Sequence, residues 1–351
     1  MTLFGADSTA DTARRVRLAN WLAPLLGRQV DAKTMRERRP TGGGWSNDTL
    51  IIEVAADIAV VLRMQPDGPA MFPDYDLARE HRVLSLLSTR PAVPTPPLVG
   101  ADLAGTLFGR PLIAMRFVAG QIPADDRPSF AEAGWLHDAP PATQRRFHEQ
   151  LIAAIAALHQ LPVKAFADAL GEHVPRSLAP SLDALERVWH WDRGERWPAV
   201  IDAAFTRLRA SMPSSDVACP LWGDARPANV IVADDCSTPK ALLDWELASV
   251  GPPELDVLWL LEMNRMRTVG AGVPPLPGFL DDSASILYYE CTARRTLGDL
   301  QWYRSYSALK MAVLMHRFLR VSVRRGKLDP GHRVLGDTVA SRRVTELLQA
   351  G

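Results

Sequence analysis

The residues best able to do chemistry lie in segments 221–232 (LWGDARPANVIV) and 241–246 (ALLDWE). Asp224 and Asn229 stand five residues apart and bracket Arg226 and Pro227, so one loop offers both side chains to one cleft. The apolar run Val230-Ile231-Val232 reads as a buried strand. The polar break from Asp234 to Pro239 turns the chain, and Ala241-Leu242-Leu243 returns as a second strand ending at Asp244. Phosphoryl transfer needs such a set: one carboxylate to orient and deprotonate a hydroxyl, and an amide with a second carboxylate to hold Mg²⁺ against nucleotide phosphates. Asp and Asn also serve as caps and turn formers in ordinary loops, which is the structural alternative.

Other pieces bear on the same chemistry. Gly42-Gly43-Gly44-Trp45-Ser46-Asn47 precedes a strand, and three missing Cβ atoms let backbone N–H groups approach phosphate oxygens. The tract lacks the Lys-Ser/Thr ending of a P-loop and opens no helix, so a plain turn is the competing reading. Arg63 ends the next strand and Glu80 sits on the following helix, an arrangement that puts positive charge on α/β-phosphates; a surface ion pair is the alternative. Arg offers a planar fork where Lys offers a point charge. The run 112–120 is a buried strand entering Gly120 and connects β-rich to helical sequence, where adenine would meet main-chain groups. His159 lacks a metal-spaced partner and reads as structural. Asp256, on an otherwise apolar helix start, is expected to accept backbone N–H groups of the Asp224 loop, or to cap its own helix. Trp189, Trp191, Trp259 and Trp302 fall on helical spacing and read as core.

The elements that must position these residues follow from the pattern. Ser8 with Asp11 forms a capping box for a helix running to about Leu26, with Val16, Leu18, Trp21 and Leu22 near one face. Strands are predicted over 49–54 and 58–63, a helix over 75–87, and further extended runs over 97–100 and 111–118. Beyond Gly120 helices are predicted over 143–160, 180–192, 196–212, 253–266, 284–295, 300–324 and 337–348. We therefore expect an N-terminal lobe over 1–118 and a helical lobe over 119–351, with a ligand between them. The 351 residues allow two sizeable cores. Zero formal net charge argues against nucleic acid or an anionic membrane surface as partner. No membrane span and no secretory signal is expected, and Cys219, Cys236 and Cys291 lack metal or CxxC spacing, so a reduced cytoplasmic setting is anticipated.

Taken in order, these motifs resemble the aminoglycoside phosphotransferase family of kinase-fold enzymes, particularly the kinase-like domains fused to acyl-CoA dehydrogenases. The likeness runs from 42–47 through 61–63, Glu80, 115–120, 134–136, 158–159, 223–224, Asn229, 244–246 and Asp256 to 300–303. It implies a bilobal α+β kinase-like fold. It also implies Asp224 as catalytic base and Asn229 and Asp244 as Mg²⁺ ligands. The nucleotide, ATP with GTP left open, would be held by Gly43, Gly44, Ser46, Asn47, Arg63 and Glu80. By the same resemblance Met115 is the gatekeeper, and the backbone of Arg116 and Val118 meets adenine. Trp222 departs from the family His before Gly-Asp, and Arg116 replaces a common acidic residue.

The implied activity is O-phosphotransfer to a small-molecule hydroxyl by a monomer or homodimer. An aminoglycoside acceptor would favour an acidic pocket, because such drugs are polycations. The helical lobe offers Asp281, Asp282, Glu290 and Asp299 but also Arg294 and Arg295. The subgroup favours a metabolic acceptor, hydroxyacyl or lipid-like. A catalytically silent nucleotide-binding scaffold is the alternative, and the lack of Asp-Phe-Gly and Ala-Pro-Glu segments disfavours a protein kinase.

Overall fold

The computed structural model describes residues 9–40, 46–172, 174–214 and 217–350. Ser8, Gly43 and Gly44 therefore lie outside the described residues. The first helix, α1 (Thr9–Leu26), buries Leu18, Ala19 and Leu22, while Val16 is 43% exposed. Val16 precedes Leu18 by two positions, about 200° around the helix, so it points away from the buried stripe. Next come β1 (Arg36–Arg38), β2 (Asp48–Ala55), β3 (Ile58–Met64), α2 (Leu77–Leu87), β4 (Leu98–Asp102) and β5 (Leu112–Arg116). The five strands form one antiparallel sheet in the order β1-β2-β3-β5-β4. In α2, Asp76 caps the first turn by accepting from the Arg79 N–H, and Leu77, Val83, Leu84 and Leu87 form an apolar stripe.

Two cores result. Leu18 and Leu22 of α1 cover Leu50, Ile52, Val60 and Leu62 on one face of the sheet. The α2 stripe, with Ile113 and Met115, belongs instead to the larger core built by the helical remainder. Glu80, on α2, is thus carried by an element fixed to the helical body, whereas Arg63 comes from the sheet.

The remainder contains α3 (Trp135–Asp138), α4 (Pro141–His159), α5 (Val163–Leu170), α6 (Leu178–Trp191), α7 (Val200–Ala210), β6 (Cys219–Leu221), β7 (Val230–Val232), β8 (Pro239–Leu242), β9 (Ser249–Gly251), α8 (Glu254–Arg267), α9 (Asp282–Ala293), α10 (Leu300–Arg324) and α11 (Val339–Ala350). β7 pairs with β8 and β6 with β9, both antiparallel. This nesting sets the β6–β7 loop, with Asp224 and Asn229, beside the β8–β9 loop, with Asp244 and Glu246. The connector passes Gly120, where a Cβ would stand 2.3 Å from the Val232 carbonyl oxygen, and Gln121 bridges Val232. Among the described residues no single helix is long and apolar enough to cross a membrane. α4 and α5 pass such a test only as a pair bent by 88°, and Phe147, Leu151 and Ile155 of α4 lie in the large core.

Candidate active site

The loop carrying Asp224 is pinned from below. Gly223 has φ 83°, and a Cβ there would fall 2.0 Å from the Leu247 carbonyl oxygen, so only glycine permits this approach of the two loops. Asp256 on α8, 1% exposed, accepts from the Trp222 N–H at 2.7 Å and the Gly223 N–H at 2.8 Å, as anticipated. His159 completes this support, with Nε2 3.2 Å from Asp256 and Nδ1 2.7 Å from the Tyr289 hydroxyl. Trp222 is fully buried, donates from Nε1 to the Leu243 carbonyl at 2.7 Å and stacks on Trp245 at 5.7 Å. Its indole thus ties the two loops together and leaves the cleft alone.

Asp224 receives three donors. Oδ2 accepts from Asn229 Nδ2 at 2.8 Å and Arg226 Nε at 2.9 Å, and Oδ1 accepts from Trp259 Nε1 at 3.0 Å. Asn229 Nδ2 also donates to the Asp224 carbonyl at 2.9 Å. With its NH₂ engaged on Asp224, the amide of Asn229 offers its oxygen to any cation. Asp244 adopts left-handed backbone angles, φ 57° and ψ 67°, which cost a non-glycine residue about 1–3 kcal/mol and concentrate at functional sites. Its Oδ1 lies 2.5 Å from Arg63 Nη1.

Arg63 gathers the remaining acids: Glu80 at 2.9 Å, Asp244 at 2.5 Å and Glu246 at 3.2 Å. With its side chain only 9% exposed, this is no surface pair. Burial alone would lower the guanidinium's pKa, but the three carboxylates hold it above its ordinary value. Burial raises Glu80 against the pull of Arg63. Burial likewise pushes Glu246 up to about 7; Arg63 opposes this, while Asp244 and Glu80 add to it. Asn47 Nδ2 donates to Glu246 at 2.7 Å and the Ser46 side chain bonds the same carboxylate. Asn47 Oδ1 is buried and unpartnered. Met115 faces Val61 and Leu98 across the sheet. The Arg116 N–H is engaged by the Pro97 carbonyl at 2.8 Å, so that donor is already taken.

Arg63, Glu80, Asp244, Glu246, Ser46 and Asn47 therefore form one hydrogen-bonded network and Asp224 with Asn229 a second; the Leu243 N–H, donating to the Asn229 carbonyl at 2.8 Å, ties the two loops, and Met115–Val118 lie at the connector. Several members of the site went unnoticed in the sequence. Arg226 joins Asp224 to Asp125, which also pairs with Arg267 at 2.7 Å. Trp259 lies in the core as expected, 2% exposed, and in addition its indole N–H holds Asp224. Lys310 on α10 donates to the Gly223 carbonyl at 2.5 Å and lies 4.4 Å from the Trp259 ring centroid. The available signals were Arg226's place two residues after Asp224 and the single lysine in an otherwise apolar stretch of α10. A cavity of about 480 Å³ opens beside the cluster, touching Asn47, Glu80, Gly223, Glu246 and Asp256. Asp281, Asp282, Glu290, Arg294, Arg295 and Asp299 are not among its lining residues.

The nucleus of hard oxygen ligands fits Mg²⁺. Asn229 and Asp244 supply an amide oxygen and a carboxylate. Among the described residues no cage of three or more His, Cys, Asp or Glu side chains forms. Mg²⁺ is commonly held by one or two carboxylates plus substrate phosphates and needs no such cage.

A small antiparallel sheet with a buried Arg–Glu pair, a connector and a helical body carrying the two nested loops define a kinase-like phosphotransferase fold. Solved structures share it. A protein from Ralstonia eutropha, provisionally described as an aminoglycoside phosphotransferase, superposes with a TM-score of 0.70 at 19% identity, covering 95% of this chain and 98% of its own. The GDP and kanamycin complex of APH(2″)-IIIa gives a TM-score of 0.57 at 16% identity, covering 95% and 97%. Residues 37–290 match the phosphotransferase enzyme family (APH), and the chain belongs to that family. Among curated proteins, acyl-CoA dehydrogenase family member 10 of Mus musculus is 25% identical over 259 residues, 70% of this chain but 22% of the relative. The chain thus spans between about a fifth and a third of the length of the curated relatives it matches first.

Proposed function

We propose that the protein is an ATP- and Mg²⁺-dependent O-phosphotransferase acting on a small-molecule hydroxyl. The observation that carries this reading is that two nested loops, joined by the Leu243 N–H to Asn229 carbonyl bond, carry Asp224 and Asn229 on one and Asp244, paired with Arg63, on the other. In this reading Asp224 accepts the proton of the acceptor hydroxyl as its oxygen attacks the γ-phosphorus and the bond to the β-phosphate oxygen breaks. Trp259, Arg226 and Asn229 hold that carboxylate in place, so little reorganisation is needed when the hydroxyl arrives. Asn229 and Asp244 would hold Mg²⁺, which when bound neutralises phosphate charge. Arg63, freed in part from Asp244, supplies a cation toward the phosphates. A metabolic alcohol is favoured over an antibiotic as acceptor, supported by the acyl-CoA dehydrogenase family relatives.

A broad acceptor screen for ATP-dependent phosphorylation, with Asp224→Asn as blank, tests this. Asp224→Asn is expected to lower turnover about 10³-fold, within the usual range for a lost general base. Turnover unchanged by the substitution would refute the assignment.

A further inference from the structure

The cavity beside the Asp224 loop takes its walls from parts of the chain far apart in sequence. Lys310 and Leu314 line it from α10, Leu185 and Val188 from α6, and residues 72–76 from the segment joining β3 to α2. On α10 the next residue of the same face is Arg317, three positions past Leu314. Asp192 directly follows the last residue of α6. Arg317 is 1% exposed, and its guanidinium ties these three walls together at one end. Nη1 donates to the Asp192 carboxylate at 2.9 Å and to the Asp192 carbonyl at 3.1 Å. Nη2 donates to the Ala70 carbonyl at 2.9 Å, and Nε to the Met71 carbonyl at 3.2 Å. Burying a guanidinium costs desolvation, and only its planar fork reaches a carboxylate and two successive carbonyls at once. Asp192 does not depend on Arg317, because Arg320 and Arg324 reach the same carboxylate at 3.4 and 3.0 Å. The tie to Ala70 and Met71 does depend on it. The Met71 N–H in turn donates to the Tyr75 hydroxyl at 2.9 Å, which carries the restraint into the cavity wall.

Resting on the phosphotransferase reading, we propose that Arg317 is a positioning residue for the acceptor: it holds residues 70–76 in place as the third wall of the acceptor cavity. That cavity reaches Gly223, the neighbour of the base, so a wall that swings away leaves an alcohol less often in range of Asp224. The bonds of Arg317 run to Asp192, Ala70 and Met71, outside the networks around Arg63 and Asp224. The tied segment leads into α2, which bears Glu80, but Leu77, Val83, Leu84 and Leu87 fix that helix to the large core on their own. Loosening the segment therefore opens the acceptor side and spares the phosphate side.

Hydrogen exchange and steady-state kinetics of the full chain test this with Arg317→Met and Arg317→Lys. Amides of residues 66–76 should exchange at least about tenfold faster in Arg317→Met, with those of α4 unchanged. Arg317→Lys keeps the buried charge but not the fork, so a smaller change in the same direction is expected. Kanamycin, choline and glucose, with any alcohol the acceptor screen returns, serve as acceptors. The KM of a phosphorylated alcohol should rise at least about tenfold in Arg317→Met, while kcat at saturating alcohol and the Kd of Mg·ADP stay within about twofold. If Arg317→Met fails to fold, Arg317→Lys carries both readings. Wild-type exchange at 66–76 in every folded variant, or equal weakening of Mg·ADP and alcohol, overturns the proposal. Faster exchange with no alcohol phosphorylated by the wild type sinks only the phosphotransferase assignment. Transfer with an unaltered alcohol KM sinks only the role of Arg317.

Discussion

On the phosphate side of the Asp224 loop Arg63 and Arg226 are bonded to carboxylates, whereas Lys310 and Arg79 of the cavity behind it are bonded to the backbone. Arg63 serves three carboxylates and Arg226 two, Asp224 and Asp125. Lys310 and Arg79 instead donate to carbonyl oxygens. A carboxylate-rich cluster is suited to an incoming dication; the cavity behind it is lined mainly by apolar side chains. One loop, held by Asp256 from beneath, separates the two and presents Asp224 between them.

Substitutions can break or sharpen that contrast, and the largest effect is expected at Arg63. Arg63→Met strands Glu80, Asp244 and Glu246 near one another, and thermal unfolding should report a loss of about 3–5 kcal/mol, the usual result of removing one partner of a buried pair. Next comes Asp256→Ala, which leaves the Trp222 and Gly223 N–H groups and His159 Nε2 unpartnered. A loss of about 3 kcal/mol is expected by denaturant titration, from two buried donors at about 1–3 kcal/mol each. Trp222→Phe keeps the ring stack but frees the buried Leu243 carbonyl, so a smaller loss, about 1 kcal/mol, should accompany near-normal transfer activity. The smallest effect is in pH dependence. Glu246 keeps its proton in the folded state up to about pH 7, while the unfolded chain releases it near its ordinary value of 4.5. The folded state thus binds more protons across this window, and stability falls as pH rises through it. Glu246→Gln should flatten that slope in a series of melting curves; an unchanged slope would assign it to another group.

Much of this contrast was legible in the sequence, and the remainder shows where sequence reasoning runs out. The paired runs 230–232 and 241–243 placed Asp224, Asn229 and Asp244 correctly because strand and turn signals are local. The Arg63–Glu80 contact was anticipated from strand and helix order. The β6–β9 pairing was not, since three-residue strands about 30 residues apart carry no periodicity of their own. Helices α3 and α5 are likewise too short to impose a repeat. Trp259 and Lys310 were passed over for a different reason: each sits on an amphipathic or buried helix, where an indole N–H or a lone ammonium is silent until a neighbouring loop reaches it. The acids at 281–299 looked available for the acceptor because linear proximity says nothing of which wall a side chain faces.

The central claim is a division of labour between two adjoining loops, with Asn229 and Asp244 holding Mg²⁺ with the nucleotide and Asp224 acting on the acceptor. Calorimetric titration of Mg·ATP into the wild type, Asp224→Asn and Asp244→Asn tests it directly. Binding is predicted to survive in Asp224→Asn and to lose its Mg²⁺-dependent part in Asp244→Asn. Mg²⁺-dependent binding that persists in Asp244→Asn but vanishes in Asp224→Asn would contradict the account.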